Sequence, residues 1–469
     1  MGSARHPSSF RDPSGFLFRR DGVLLRQVNP VYARHWEHFL ASGLHAKLLE
    51  RGWLIPHDEL DARAGADSGA YRVLRPTPVP FISYPYEWSF SQYRDAALLT
   101  LRIQRLAFEH GMVLKDASAY NIQFLGARPV LIDTLSFETW EEGLPWVAYR
   151  QFCQHFLAPL ALMSYRDVRL SSLMRTHIDG VPLDLACALL PGRARLRFPL
   201  LSHLYLHARS QRSKAHSRQG RRAYKIGRLA FAGLIESLRK GVERLQWGLP
   251  ATEWGDYYGA TNYSAASHAH KAELVTGALD AIRPASVWDL GANDGRFSRL
   301  ASTRGIPTVA FDIDPGAVEK NYRQASAEKD AHLLPLRLDL TNPSPALGWA
   351  HEERASLADR GPAGAVLALA LIHHLAIGNN VPLEHVAAFL ARLSDHLVIE
   401  WVPKEDSQVQ RLLASREDVF PDYREDFFGA AFGAHYRERN REPIRDSARV
   451  LYCCSRHPGW LPTSGATNV

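Results

Sequence analysis

One stretch constrains the fold of this chain more than any other: Val287-Trp288-Asp289-Leu290-Gly291-Ala292-Asn293-Asp294-Gly295-Arg296-Phe297. A short, largely apolar strand runs straight into a Gly-x-x-x-Gly turn and then into a helix-favouring segment. Gly291 permits a tight turn and close approach of the backbone to a ligand, and Gly295 lets the next helix start against the sheet. Asn293, between them, also tolerates left-handed dihedrals. A strand, turn and helix of this kind open a doubly wound α/β sheet. Such a sheet binds its ligand at the carboxyl ends of its strands, near the switch in strand order.

The surrounding sequence fits that frame. Strands are predicted over 286–290, 308–312, 336–340, 365–371 and 396–401, with helices over 296–304, 315–329 and 383–393. Segments 436–441 and 449–455 read as a terminal antiparallel pair. The expected fold class is therefore α/β, with a mostly parallel seven-stranded sheet and a reversed terminal strand. The glycine turn resembles motif I of class I S-adenosylmethionine-dependent methyltransferases, D/E-x-G-x-G-x-G, with Asn293 in place of the middle glycine. That resemblance implies S-adenosylmethionine as cofactor, with Asp289 orienting its methionine part. Asp312, about 20 residues beyond the glycines, would accept hydrogen bonds from both ribose hydroxyls. Asp314 is the nearby alternative, but Pro315 behind it marks it as a helix cap. Asp339 ends the third predicted strand, where the family places an acid or amide against the adenine amino group. The cofactor-binding set is thus Asp289, Gly291, Asn293, Gly295, Asp312 and Asp339. An NAD-binding Rossmann domain also has glycines and a distal acid, but its usual G-x-G-x-x-G is absent here.

The fourth strand leads into Ala370-Leu371-Ile372-His373-His374-Leu375, where class I enzymes line the methyl-transfer site. Methylating a hydroxyl requires a proton to leave as the bond forms, and histidine's unperturbed pKa of about 6.5 suits that task. His373, slightly ahead of His374, is the candidate base; the alternative is that one of the pair packs against the sheet edge. Glu400, at the carboxyl end of the fifth strand, is the third catalytic candidate, as base or as ligand for an acceptor hydroxyl. Its plainer role is a salt bridge with Lys404 or a nearby arginine. Upstream, Tyr263 and Lys271 are candidate cofactor contacts, in a segment that includes Asp256-Tyr257-Tyr258.

Residues 1–200 mix strand-like and helical segments, among them an apolar run over 79–85 and a helical pattern over 93–110. The spacing Asp116-x4-Asn121, with Asp133 following a strand, resembles the catalytic and metal-binding loop of protein-kinase-like phosphotransferases. There the first Asp orients the hydroxyl acceptor while the Asn and last Asp hold Mg²⁺. The departures are the lack of a Gly-rich loop, the lack of a V-A-I-K strand, and Thr134-Leu135 after Asp133 instead of Phe-Gly. Arg26 stands where a phosphate-binding lysine would. These acids also have a plain role in bonding the turn backbone.

Composition sets the outer bounds. A chain of 469 residues calls for more than one domain, and 46% hydrophobic with 22% charged residues suits a soluble globular protein. The expected division is an α+β domain over 1–200, kinase-like in part, a basic helical connector over 201–250, the methyltransferase domain over 251–457 and a tail over 458–469. The four cysteines show no CxxC pair or metal-ligand spacing, so neither a disulfide framework nor a bound metal is expected. With no signal-peptide pattern and no run of roughly 18 apolar residues, a cytoplasmic protein is expected. The net charge of +7 would permit nucleic-acid contact. Much of it sits between Arg209 and Arg244, a run better read as a solvated helix or linker.

Four longer words lie outside the glycine turn: P-V-P-F-I-S-Y-P-Y-E-W-S-F-S-Q, L-K-D-A-S-A-Y-N-I-Q-F, Y-R-Q-F-C-Q-H-F-L-A-P-L-A-L and V-P-K-E-D-S-Q-V-Q-R-L-L-A-S-R-E-D-V-F-P-D-Y. With them the chain resembles, over nearly its whole length, bacterial class I methyltransferases related to the nodulation protein NoeA. That resemblance implies methyltransferase activity. The link with nodulation implies a carbohydrate or other small polar acceptor, with the N-terminal domain recognising it. An RNA or protein methyltransferase using the basic connector, and a bifunctional protein with a kinase-like phosphotransferase domain, are the alternatives.

Overall fold

The computed structural model describes residues 4–209, 226–248, 264–414 and 417–459. The chain divides into two compact units: Met1–Gly248 with Ala346–Arg354, and Leu249–Pro345 with Ala355–Val469.

Unit one opens with an antiparallel sheet of β1 (Ala4–Arg5), β2 (Gly15–Arg20), β3 (Val23–Val28), β4 (His57–Leu60) and β5 (Arg72–Pro76), in the order β1-β2-β3-β5-β4. Asp21 and Gly22 join β2 to β3, both at positive φ, which gives the hairpin turn the twist its strands need. Helices Ala33–Ala41 and Leu44–Glu50 separate β3 from β4. The rest is mostly helical, built on helix Phe90–Glu109. Ser89 caps this helix reciprocally with Gln92, at 3.3 Å from the Gln92 N–H and 2.9 Å back to its own N–H. After it come β6 (Met112–Leu114), β7 (Ile122–Leu125), β8 (Arg128–Leu131) and β9 (Phe137–Thr139), pairing β6 with β9 and β7 with β8. This is the order of elements of a protein-kinase-like domain. The apolar 79–85 run forms no strand; instead Gln123 ties its backbone down, accepting from the Ser83 N–H at 2.8 Å.

The predicted connector is corrected as well. Helix Arg228–Glu243 buries Phe231, Ile235, Leu238 and Val242 at helical spacing, and the Phe231 ring stacks on Phe108 at 4.5 Å. It is an integral helix of unit one whose apolar stripe was masked by its basic composition. Residues 210–225, the most basic part of that segment, lie outside the described residues.

Unit two carries β10 (Val287–Leu290), β11 (Thr308–Asp312), β12 (Leu333–Arg337), β13 (Ala363–Ala368), β14 (Ser394–Trp401), β15 (Tyr436–Pro443) and β16 (Val450–Arg456). Their order is β12-β11-β10-β13-β14-β16-β15; the first five are parallel, and β16 is antiparallel to both its neighbours. This is the class I methyltransferase arrangement, with the switch in strand order between β10 and β13. Val287, Ala365, Leu367 and Val398 form the core with Val275 and Leu279 of helix Ala265–Ile282. Strand β12 starts and ends three residues earlier than predicted. Pro335 lies inside it, which an edge strand tolerates but which argues against a strand when only the sequence is read. Strand β13 likewise ends at Ala368. The four cysteines are free, and among the described residues no helix is long and apolar enough to cross a membrane.

Candidate active site

Beyond β10 the chain takes left-handed backbone three times, at Gly291 (φ 74°), Asn293 (φ 50°) and Gly295 (φ 81°). The turn is held from within: the Gly291 and Ala292 N–H groups both donate to the Phe311 carbonyl at 2.9 Å, and the Gly295 N–H donates to the Ala292 carbonyl at 2.9 Å. The reason for glycine at 295 differs from the one expected. The helix begins only at Ser298, and a Cβ at 295 would overlap the side-chain amide of Asn321, on helix Pro315–Glu328. Gly295→Ala combines a left-handed alanine with that overlap, so a loss of about 2–4 kcal/mol is expected. Thermal unfolding measures it.

Two carboxylates meet this turn. Asp289 accepts from the Ser298 hydroxyl at 2.6 Å. Asp312 accepts from the Asn293 N–H at 2.7 Å through Oδ2 and from the Asp314 N–H at 2.8 Å through Oδ1. Burial pushes each up to about 6, and the charge of Asp312 adds to the rise of Asp289. Asp314 caps the next helix, accepting from the Gly316 and Ala317 N–H groups at 2.6 and 3.2 Å. Asp339 lies just past the end of β12, half-buried, and accepts from the Thr341 N–H at 2.8 Å and from its hydroxyl at 2.6 Å.

After β13 the loop turns through Ala370 at φ 51°. His373 is fully buried and neither ring nitrogen has a hydrogen-bond partner. The His374 ring lies 4.1 Å from it and is half-buried. Burial drives His373 well below the usual histidine range and His374 down to about 4, so both are neutral imidazoles at neutral pH. Of the two rings, His374 is the less buried.

Of the roles expected of Glu400, the geometry has the salt bridge. Its buried carboxylate accepts from Lys271 Nζ at 2.5 Å and the Ala370 N–H at 2.9 Å through Oε2, and from Arg449 Nη1 at 3.1 Å through Oε1. Arg449 in turn grips Asp406 through Nε at 2.8 Å and Nη2 at 3.0 Å. All four side chains are at most 4% exposed. A carboxylate held by two cations and a backbone N–H is no free base, and Lys271, bound to it, is no free cofactor contact. Of the two partners expected for a salt bridge, the nearby arginine is Arg449, while Lys404 meets Asp418 at 2.8 Å. Arg449 and Asp406 escaped sequence reasoning. Their only signal was an arginine leading an otherwise apolar strand and an aspartate opening a helix. Asp256-Tyr257-Tyr258 and Tyr263 lie outside the described residues.

Unit one has its own cluster. Asp116 accepts from the Ser118 N–H at 2.9 Å and from Gln151 Nε2 at 2.8 Å. Asn121 donates to the Ser136 hydroxyl at 3.3 Å, and Ser136 donates to Asp133 Oδ2 at 2.6 Å. Asp133 Oδ1 faces Arg26 Nη2 at 2.5 Å and accepts from the Leu135 N–H at 3.1 Å. Burial pushes Asp116 up, with the charge of Asp133 adding to it. Burial pushes Asp133 up too, but Arg26 and the hydrogen bonds from Ser136 and Leu135 outweigh it and hold this carboxyl below its ordinary range. The Asp116, Asn121, Asp133 and Arg26 of the sequence motif are thus brought together. A kinase-like fold implies Mg²⁺ at Asn121 and Asp133. With both Asp133 oxygens taken, one by a permanent cation, the residues present do not fit that ion.

Compared with known proteins, the chain is 35% identical over 460 residues to the nodulation protein NoeA of Rhizobium meliloti (strain 1021), covering 96% of each. The chain belongs to the NoeA family. No protein-family model matches it. Among solved structures, this NoeA-family chain is similar to the bifunctional kinase-methyltransferase WbdD, at 17% identity and a TM-score of 0.29, over 42% of this chain and 41% of that one. It is also similar to magnesium protoporphyrin IX methyltransferase (ChlM) from Synechocystis PCC 6803 with bound SAM, at 17% identity and a TM-score of 0.31, over 44% and 89%.

Proposed function

We propose that this NoeA-family protein is an S-adenosylmethionine-dependent methyltransferase acting on a hydroxyl of a carbohydrate or other small polar acceptor. The observation that carries this reading is the left-handed turn Gly291–Gly295 set against the Asp312 carboxylate at the end of the neighbouring strand. The turn carries left-handed backbone to the carboxyl end of β10, and Asp312 at the end of the neighbouring strand offers acceptor lone pairs suited to a diol. Bound there, S-adenosylmethionine supplies a methyl group activated by its sulfonium. In this reading Asp289, Gly291, Asn293 and Gly295 hold the methionine part, Asp312 the ribose hydroxyls and Asp339 the adenine amino group.

The chain's own contribution is positioning, which can supply several kcal/mol of a two-substrate barrier, and proton removal. His374, neutral at working pH, receives the acceptor hydroxyl proton on a ring nitrogen. Glu400 is a positioning residue: it holds the Ala370 N–H and so the conformation of the loop that carries His374. Unit one recognises the acceptor. The name of the R. meliloti relative ties it to nodulation, which supports a sugar-bearing acceptor over RNA.

The test is incubation with methyl-labelled donor and fractionated bacterial extract, followed by mass analysis of the labelled product. Label in an oligosaccharide or polysaccharide fraction is expected; label in RNA or protein fractions alone would replace the acceptor assignment. His374→Gln is expected to lower kcat about 10²–10⁴-fold while leaving the affinity for S-adenosylhomocysteine unchanged. An unchanged kcat would reduce His374 to a packing residue.

A further inference from the structure

The cluster in unit one departs from a phosphotransferase centre in one respect that changes which ion it can hold. We infer that Arg26 takes the place of the divalent cation at Asp133, so that no Mg²⁺ or Mn²⁺ is bound through Asp133 and Asn121. The inference concerns unit one alone and does not depend on the methyltransferase reading.

Arg26 is fixed by the sheet. It lies on the central strand β3, paired with Leu17 on one side and Leu74 on the other. Its guanidinium reaches Asp133 with side-chain exposures of only 11% and 14% for the pair. A lysine could withdraw or give up its proton when a second cation arrives. A guanidinium stays charged at any working pH, and its planar fork matches a carboxylate. A divalent ion at Asp133 would therefore sit beside a permanent positive charge in a site from which water is largely excluded. It would also have to displace the Ser136 hydroxyl from Oδ2. That same hydroxyl accepts from the Asn121 amide at 3.3 Å, so the two residues that would chelate the ion are already bridged by a protein hydroxyl.

The neighbouring groups complete the same pattern. Lys115 Nζ is bound by Asp12 at 3.1 and 3.2 Å and by Ser14 Oγ at 2.5 Å. Asp116 is satisfied by Ser118 and Gln151. Each carboxylate of the cluster thus has protein donors, and two of the three have a resident cation. Asp12 and Asp133 are each paired with a protein cation, Lys115 and Arg26, with no metal added. Among the described residues, no group of three or more His, Cys, Asp or Glu side chains is placed to hold a metal ion.

Mn²⁺, visible by electron paramagnetic resonance, is the probe, titrated into the full chain with and without ATP. The wild type, Asp133→Asn and Asn121→Ala are expected to bind it equally, since none would use this site. Arg26→Met, which frees Asp133 without removing an oxygen ligand, is expected to gain one Mn²⁺ per chain with affinity at least tenfold above the wild type. Asp133→Asn in that background should abolish the gain. Arg26→Lys keeps the charge and serves if the methionine variant fails to fold; it should gain binding to a lesser degree. Wild-type Mn²⁺ binding that either Asp133→Asn or Asn121→Ala removes would overturn the inference. So would a folded Arg26→Met protein that gains none.

Discussion

Replacing Arg449 with alanine is expected to cost unit two about 3–5 kcal/mol and to lower its melting temperature by about 6–20 °C. Arg449 stands between two buried carboxylates, Glu400 and Asp406, and makes three hydrogen bonds to them. Removing it leaves Asp406 without its guanidinium partner and Glu400 with Lys271 as its remaining cation. An uncompensated buried charge is far more expensive than the pair that contained it was worth. Arg449→Lys should fall between the two, because an ammonium cannot span both carboxylates in the plane of the fork. The damage should also reach the acceptor loop, since Glu400 accepts the N–H of Ala370, the residue at positive φ. Differential scanning calorimetry of the three proteins measures the effect. A melting temperature for Arg449→Ala within 2 °C or so of the wild type would show that the network contributes little.

Asp312→Ala is expected to weaken S-adenosylhomocysteine binding about 10²–10⁴-fold. Two hydrogen bonds from ribose hydroxyls to an ionised carboxylate are worth roughly 1.5–3 kcal/mol each. The ionised form matters, which makes the effect depend on pH. Burial raises Asp312 to about 6, so ligand affinity should be full above that pH and fall as pH drops through it. Folding stability moves the other way. The folded-state pKa values of Asp289 and Asp312 lie above the unfolded value of about 3.9, so between those values the folded state binds more protons than the unfolded one. These two groups therefore reduce stability above pH 6, and that cost disappears as pH falls toward 4. Titration calorimetry at pH 5 and pH 8 for wild type and Asp312→Asn separates the two. The wild type should gain affinity between these values; the asparagine variant, which cannot ionise, should be weak and flat.

The parts of this architecture that follow from local chemistry were legible in the residues. The strand Thr308–Asp312 and the helix Leu383–Leu393 have the predicted bounds because their apolar periods are clean and their ends carry polar or turn residues. The left-handed Asn293 could be anticipated from its place between two glycines. What failed to show was whatever depends on partners distant in sequence. The proline within β12 is tolerated only because that strand is at an edge, which is a fact of topology. Glu400 looked like a base at the end of a strand because nothing nearby in sequence reveals that Lys271 and Arg449 converge on it. The buried face of helix Arg228–Glu243 was read as solvated because charge run and apolar stripe share the same residues. The difference in burial between His373 and His374 was likewise hidden, because one residue of register decides it.

The most direct test of the account is a calorimetric titration of the full chain with S-adenosylhomocysteine and, in parallel, with NAD⁺. The two ligands share a ribose diol and an adenine, so they probe what the turn at Gly291–Gly295 is shaped to accept beyond them. One S-adenosylhomocysteine bound per chain and no heat from NAD⁺ are expected. Saturable NAD⁺ binding with no response to S-adenosylhomocysteine would contradict the methyltransferase assignment.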